Sequence, residues 1–348
     1  MISAHSIADR ITHRHRRPSQ RRSHHDLDKR GPIRTPGRGA SSTPLFGLDD
    51  DIERVVIIPA RPKLYWPVAP PSNYLGQLED SFQLQLVQER SSLTMEDCIF
   101  TQSINSEAGK TIDGLWDIRG REEPYLGVSN FQSRRVLELG PQSGYLTSYM
   151  ASQGAQVVGF DIGYDLTPDV IVAKPEESVS CANELLRAQG AVQNSWWYHK
   201  RIGCFDAKMV YGDIYHLPAD LGMFDISIFP NYLSFLRDPW EAMSQAASIT
   251  RKRIVVTEVY SKESCSFARD SLEHVSLWAP GSRQVSNLWW AMSPGSVVDS
   301  LRQLGFTRTR VTLHNQLQKI TQDSSDGSVS FYSETPMFTV VADREWSI

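Results

Sequence analysis

The chain has 348 residues, 40% of them hydrophobic, and can therefore bury the core of one large domain or two smaller ones. No apolar run approaches the roughly 20 residues of a membrane-spanning helix, which argues against a membrane protein. The four cysteines lack the spacing of a zinc site or a disulfide framework, so we expect no metal and a reduced, cytoplasmic setting.

The net charge of −4 is unevenly distributed along the chain. Residues 1–40 carry nine Arg and one Lys against three Asp, a charge of +7, which leaves −11 (−4 minus +7) for the remainder. Because this opening segment has no aromatic residue with which to build a core, we predict a disordered basic tail and linker over residues 1–50. Three interpretations of this tail compete. It is a solvated tail, a nucleic-acid-binding arm that could hold tRNA or, less consistently, a transit peptide.

Residues 51–130 contain short predicted elements separated by prolines. A strand at 54–59 ends at a proline, the segment 65–74 is too proline-rich for regular structure, and 81–90 is predicted to be a helix. We interpret this stretch as an N-terminal extension that packs on the following domain rather than folding by itself.

From residue 131 onward, hydrophobic strands alternate with helices, which is typical of a doubly wound, parallel α/β sheet. The predicted strands lie at 134–139, 156–161, 207–211, 224–229 and 253–259. The predicted helices lie at 144–153, 175–189 and 238–248. The sequence therefore predicts one α/β domain over residues 131–348.

The C-terminal third departs from this alternation. An insertion at 260–292 follows the fifth strand, and a helix with proline in its first turn begins at Pro294. Two final strands, at 306–314 and 337–343, are separated by a predicted long loop at 315–336.

A glycine-containing turn follows the first predicted strand of this domain. Gly140 can adopt backbone angles closed to other residues, and Gly144 opens a helix whose free N–H groups point back at the turn. Asp161 ends the second strand, where its carboxylate can accept hydrogen bonds from both hydroxyls of a ribose. This strand–turn–helix–strand arrangement predicts a nucleotide-binding site.

The residues within the turn indicate which nucleotide it binds. A nicotinamide dinucleotide site has the spacing Gly-x-Gly-x-x-Gly, whereas here Gln142 occupies the middle position. Glu138 precedes Gly140 by two residues, and a carboxylate there suits a ligand that carries an ammonium group. S-adenosylmethionine (SAM) carries such a group.

The chain resembles the class I SAM-dependent methyltransferases. Four motifs carry the resemblance, in the family's order and at suitable spacing: 138–144, Asp161, Gly212-Asp213, and Phe224-Asp225 with Asp238-Pro239 after it. The resemblance covers roughly 136–344 and implies a seven-stranded Rossmann-like sheet whose last strand runs antiparallel between the fifth and the sixth. It also implies SAM as the cofactor.

The resemblance implies roles for individual residues at the cofactor. Glu138 is expected to hold the amino group of the methionine moiety. The backbone at Gly140 is expected to line the amino-acid portion, beside the helix that Gly144 opens. Asp161 is expected to bind the ribose hydroxyls, and Asp213 to accept a hydrogen bond from the adenine amino group.

Three further contacts are implied around the adenine and the methyl group. The backbone of Ile214 is expected beside the adenine. Phe229 and Asn231, at and after the end of the fourth strand, are expected to form the floor near the methyl group.

Catalytic residues are not marked by a motif. An enzyme that transfers a methyl group from SAM mainly aligns the nucleophile and excludes water, although some members add a general base. Tyr232, just after the fourth strand, is a weak candidate for such a base, and the isolated His216, His274 and His314 are weaker ones.

Two segments, 112–119 and 287–294, bear a distant resemblance to the enzymes that modify the wobble uridine of tRNA with carboxylated SAM. Those enzymes have a basic tRNA surface, whereas this core is acidic. The sequence therefore leaves three functions open: methyl transfer to an unidentified small molecule, modification of tRNA, or regulation by a catalytically inactive SAM-binding protein. Trp289 and Trp290 in the insertion are the candidates for an acceptor pocket.

Overall fold

The computed structural model describes residues 92–106, 109–163, 166, 169, 171–172, 178–260, 275–277, 285–286, 288–324 and 327–345. The helices in these ranges are α1 (Glu122–Leu126), α2 (Tyr145–Ser152), α3 (Ser178–Gly203), α4 (Pro239–Ser248) and α5 (Pro294–Gln303). The strands are β1 (Ile104–Asn105), β2 (Thr111–Ile112), β3 (Trp116–Asp117), β4 (Arg135–Leu139), β5 (Gln156–Ile162), β6 (Ile171–Val172), β7 (Ala207–Gly212), β8 (Phe224–Pro230), β9 (Thr250–Val259), β10 (Val275–Leu277), β11 (Val285–Ser286), β12 (Trp290–Met292), β13 (Arg308–Ser324) and β14 (Gly327–Asp343).

One mixed sheet organises the described chain. Its strand order is β3-β13-β14-β9-β8-β4-β5-β7. Strands β4, β5, β7, β8 and β9 are parallel, and β14 runs antiparallel between β9 and β13. This is the predicted doubly wound α/β arrangement with an antiparallel last strand. The sequence predicts seven strands and the sheet has eight, because the two-residue β3 joins its edge on β13.

The predicted long loop at 315–336 is wrong. β13 and β14 pair without a register shift from Arg308 opposite Asp343 to Ser324 opposite Gly327. The segment is mostly polar, which led to the prediction of a loop, but an antiparallel hairpin can be solvated while its backbone is fully paired. Hydrogen bonding between the strands, rather than burial of an apolar face, forms this part of the sheet.

Helix α3 is longer than predicted. The predicted helix ends at residue 189, before Gly190, and glycine in a helix interior costs about 1 kcal/mol relative to alanine. The helix instead continues to Gly203. Its second half carries Trp196 and Trp197, both buried, and their packing offsets the cost of the glycine.

Apolar side chains cover both faces of the sheet. On one face α4 and α5 pack with Met243 and Leu301 over Phe229 and Val256. On the other face α1, α2 and α3 surround Trp196, which is fully buried. The Trp196 ring meets Trp197 and Phe205 edge to face, with centroids 4.9 and 5.7 Å away.

Several sequence predictions lie outside the described residues. These are the tail at 1–50, the strand at 54–59, the helix at 81–90, His274 and most of the insertion at 260–292. The domain boundary near residue 130 stays a prediction. Among the described helices, not one combines the length and hydropathy needed to cross a lipid bilayer.

Replacement of Trp196 tests the packing of the α3 face. Because the side chain is fully buried, Trp196→Ala should lower the free energy of unfolding by about 3–5 kcal/mol in urea denaturation. Trp240→Ala is the matched control, since Trp240 is 40% exposed and its loss should change stability by no more than about 0.5 kcal/mol. Equal effects of the two changes would contradict this account of the core.

Candidate functional site

The turn between β4 and α2 requires glycine at two positions. Gly140 and Gly144 have φ of +75° and +76°. A Cβ at Gly140 would stand 2.5 Å from the ring of Tyr232, and one at Gly144 would stand 2.6 Å from the ring of Trp196. Both conformation and space therefore exclude a side chain, and the backbone can come close to a ligand.

Gln142 stands where the resembled family has its middle glycine, and it preserves the shape of the turn. Its φ is +55°, in the left-handed region that glycine favours. Such a conformation costs a non-glycine residue roughly 1–2 kcal/mol. The side chain offsets this cost by donating from Nε2 to the Pro230 carbonyl at 3.2 Å, which joins the turn to the end of β8.

Glu138 is a fully buried carboxylate on β4. Its Oε2 accepts a hydrogen bond from the Thr147 hydroxyl in the first turn of α2. Its Oε1 is also buried and has no partner among the described residues. Burial raises the pKa of Glu138 to about 8. A buried, unpaired acceptor is unfavourable in the folded protein, so this oxygen is available to a hydrogen-bond donor from outside the chain.

Asp161 lies at the end of β5, as predicted, and is 4% exposed. Its Oδ1 accepts from the Ile162 backbone N–H at 2.8 Å, and Gln189 Nε2 is shared between Oδ1 and Oδ2 at 3.4 and 3.3 Å. Burial raises the pKa of Asp161 to about 6. Each carboxylate oxygen can accept two hydrogen bonds, so Asp161 retains capacity for further donors.

Asp213 and Ile214 follow β7. Asp213 is partly exposed and accepts hydrogen bonds from the Tyr215 N–H at 2.9 Å and from His216 Nδ1 at 2.7 Å. Ile214 is buried in the core beneath α4 and α5. His216 Nδ1 is therefore hydrogen-bonded to the Asp213 carboxylate, which favours a structural role for His216 over that of a general base.

The segment after β8 lies beside the glycine turn. Phe229 is fully buried. Asn231 has a φ of +56° and donates its N–H to the Thr257 carbonyl at 2.6 Å. Tyr232 packs against Gly140, and burial raises its pKa well above the ordinary range. A phenol that keeps its proton at neutral pH is a poor general base, which argues against the catalytic role considered for Tyr232.

His314 lies on β13 and contacts neighbouring hairpin residues. Its Nε2 is 2.9 Å from the Thr339 hydroxyl and its Nδ1 is 3.2 Å from Gln316 Nε2. Burial lowers the pKa of His314 to about 4, so the ring is neutral at physiological pH. The hydrogen bonds indicate a role in the hairpin.

Glu258 on β9 lies beside the site, and none of the sequence motifs identifies it. It is fully buried and accepts from the backbone N–H groups of Leu233 and Ser234 at 2.7 and 3.4 Å, and from the Ser234 hydroxyl. Burial raises the pKa of Glu258 to about 7. Glu258 thereby fixes the turn that follows Tyr232. The signal was available, since Glu258, like Glu138 and Asp161, is an acid near the end of a strand.

The described parts of the insertion contact segments that follow β5 and β8. Trp289 donates its backbone N–H to the Ser234 carbonyl at 2.8 Å, and Trp290 Nε1 donates to the Arg237 carbonyl at 3.1 Å. β11 pairs with β6, which follows β5 in the chain. These described parts are therefore at the carboxyl end of the parallel strands, where ligands bind in open α/β sheets.

Two surface clefts accompany this arrangement. A cleft of about 430 Å³ lies between Trp240 in α4, Trp290 and Arg237. A larger cleft of about 780 Å³ is lined by the amino-terminal residues of β5 and β7, among them Gln156 and Ala207. The larger cleft is at the opposite end of the strands from Glu138 and Asp161, whereas the smaller one lies beside Trp290.

Residues 99–106 and 109–118, here called the strap, lie against the glycine turn. The Thr101 N–H donates to the Ser143 hydroxyl at 2.8 Å, and Gln102 Oε1 accepts from the Tyr145 N–H at 3.0 Å. The far end of the strap accepts a hydrogen bond from the Tyr332 hydroxyl on β14. No local sequence pattern identifies these contacts, because their partners are distant in the chain.

Comparison with protein families identifies the class of this chain. The methyltransferase domain family matches residues 118–311, more than half of the chain. The chain therefore belongs to this family and is a class I SAM-dependent methyltransferase, with SAM as its cofactor. The predicted wobble-uridine subfamily is not supported by this match. No curated protein sequence matches the chain significantly.

Several solved structures are similar to the chain at low identity. The N-terminal domain of EvdMO1 with S-adenosylhomocysteine is 18% identical, with coverage of 76% of this chain and 97% of that one and a TM-score of 0.38. Magnesium protoporphyrin IX methyltransferase of Synechocystis PCC 6803 is 14% identical, with coverage of 62% and 76% and a TM-score of 0.35. Precorrin 8W decarboxylase of Methanobacterium thermoautotrophicum is 11% identical, with coverage of 72% and 98% and a TM-score of 0.38. Sequence identities and TM-scores this low do not indicate which acceptor the chain uses.

Glu138→Gln should separate stability from cofactor binding. The folded pKa of about 8 exceeds the ordinary value of 4.5. The stability contributed by protonated Glu138 is therefore complete below pH 4.5 and is lost as the pH rises through about 8. The variant should melt at a higher temperature than the wild type, by a margin that widens between these pH values, while its SAM affinity falls.

Thermal unfolding and calorimetry from pH 5 to about 9 measure both effects. Glu123→Gln, which removes an exposed carboxylate on α1, is the control. A Glu138→Gln protein that is less stable than the wild type at pH 8 would contradict the assignment of an uncompensated buried charge.

Proposed function

We propose that this enzyme holds SAM at the glycine turn and transfers its methyl group to a small-molecule acceptor at the carboxyl end of the sheet. The unpaired Oε1 of Glu138 is the observation that carries the proposal. A buried carboxylate oxygen beside a turn that admits no side chain suits an ammonium group, and the methionine end of SAM carries one.

The proposed cofactor contacts follow from the position of each residue. Glu138 binds the ammonium group, and the Gly140 backbone lines the amino-acid portion next to the helix that begins after Gly144. Asp161 accepts from the ribose hydroxyls with the hydrogen-bonding capacity that it retains. Asp213 accepts from the adenine amino group, and the backbone of Ile214 lies beside the ring.

The chemistry requires alignment more than acid–base catalysis. SAM supplies a methyl group activated by its sulfonium. Phe229 and Asn231 form the floor near that group, and the hydrogen bond from Asn231 to Thr257 holds the floor in position. Glu258 fixes the turn above it through Leu233 and Ser234. The role of these residues is to orient the acceptor for in-line attack and to exclude water.

The acceptor is proposed to be a small molecule bound beside Trp289 and Trp290. Charge supports this choice, because residues 41–348 carry −11 (−4 minus +7) and would repel the phosphates of RNA. The cleft beside Trp290 offers aromatic surface together with Arg237. Transfer to tRNA, with the basic tail as its arm, is the second candidate, and a catalytically inactive SAM-binding protein is the third.

Loss of the Asp161 carboxylate tests the cofactor site. Asp161→Ala should weaken SAM binding at least about tenfold in calorimetry, because a hydrogen bond to a charged group contributes roughly 1.5–3 kcal/mol. Asp225→Ala is the matched control. Asp225 begins β8 at the other end of the sheet and pairs with Lys252, so its loss should leave SAM affinity unchanged. Wild-type affinity in the Asp161 variant would refute the assignment.

Trp290→Ala tests the acceptor pocket. The variant should bind SAM normally and lose transfer of a labelled methyl group to the small-molecule fraction of a cell extract. Label in the tRNA fraction instead would favour the second candidate, and label in neither fraction with wild-type protein would favour the third. A large fall in melting temperature on Trp290→Ala would show that the ring serves the core of the protein.

A further inference from the structure

We infer that Gln102 is a further cofactor-binding residue, whose side-chain amide donates a hydrogen bond to the α-carboxylate at the amino-acid end of the ligand. This inference rests on the proposed function and deepens it. It assigns part of the cofactor site to the strap, which precedes the first parallel strand and contains none of the family's motifs.

The hydrogen bond to α2 fixes the orientation of the Gln102 amide. The Tyr145 N–H is a donor, so the atom 3.0 Å from it must be the oxygen Oε1. Nε2 is then the free end of the amide. It is buried and has no partner among the described residues, and Gln102 as a whole is 1% exposed. A capping role accounts for the oxygen but leaves the nitrogen unexplained.

The position of this amide is at the start of a helix. Tyr145 is the first residue of α2, and the N–H groups of a first helical turn attract anions. Because Gln102 accepts the hydrogen bond from Tyr145, that N–H is no longer available to a ligand. The Nε2 group of Gln102 presents new donors in its place, next to the positive end of the helix.

Glu138 provides the complementary group. Its Oε2 is bound by Thr147, two residues beyond Tyr145 and on the same helical turn. The two side chains thus each use one terminal atom on the first turn of α2 and leave the other atom buried and unpaired. When Glu138 is ionised opposite a cation, its unpaired atom is an acceptor, and the unpaired atom of Gln102 is a donor. An α-amino acid carries an ammonium and a carboxylate on one carbon, which matches this pair.

The strap holds Gln102 in a fixed position. The Ser143 hydroxyl accepts from the Thr101 N–H at 2.8 Å and from the Gln102 N–H at 3.4 Å. It also accepts from the Ser195 hydroxyl of α3 at 2.9 Å. The glycine turn, the strap and α3 therefore meet at one buried hydroxyl. A donor held in this way loses little conformational entropy when it binds a carboxylate.

Gln102→Glu, measured at about pH 9 so that a buried carboxyl is ionised, tests the inference. It keeps the size of the side chain and an oxygen opposite Tyr145 but replaces the donor with an anionic oxygen. Calorimetry would compare two ligands, S-adenosylhomocysteine and its decarboxylated analogue. We expect the affinity for S-adenosylhomocysteine to fall at least about tenfold, because a donor to a carboxylate becomes a repelling charge. The affinity for the analogue should be retained, since it lacks the carboxylate.

Gln132→Glu, an exposed substitution before β4, is the matched control and should affect neither ligand. Equal losses for both ligands in the Gln102 variant would show a purely structural role and overturn the inference, as would no loss for either. Wild-type protein that binds neither ligand would overturn the proposed function itself, and this inference with it.

Discussion

The backbone of one short turn constrains the packing on both sides of the sheet. Gly140, Gln142 and Gly144 all have positive φ, and two of these residues have no room for a side chain. Tyr232, from the segment after β8, fills the space beside Gly140, and Trp196, from α3, fills the space beside Gly144. The same residues therefore determine both the shape of the cofactor site and the packing of the two helical layers.

The sequence predicts the parallel half of the sheet well, because each of those strands has a mostly apolar, buried centre. Acids that can bind a ligand, such as Glu138 and Asp161, stand near the strand ends. It fails at the hairpin, whose polar strands are held by backbone pairing that leaves no hydrophobic pattern. It also fails at Gln102, because the partner Tyr145 is distant in the chain and the contact depends on the finished fold. The roles of the site residues remain predictions.

Three buried carboxylates share a raised pKa, but they differ in what they do with their oxygen atoms. Glu258 uses both oxygens on the turn that follows β8. Asp161 uses both but keeps spare capacity. Glu138 keeps one oxygen unpaired. Burial alone therefore does not distinguish a binding residue from a structural one. A buried oxygen without a hydrogen-bond partner in the protein distinguishes them better.

The length of the β13–β14 hairpin has a consequence for the order of assembly during translation. Its distal part anchors the strap, through the Lys319 N–H to the Leu115 carbonyl at 2.7 Å and the Tyr332 hydroxyl to the Gly114 carbonyl at 3.0 Å. β14 also covers the edge of β9. A nascent chain that has not yet reached residue 343 thus exposes an unpaired strand edge and lacks the support for its own strap. The ribosome makes the strap early, but the bonds that tie residues 114 and 115 of the strap to the hairpin form only after the hairpin has emerged.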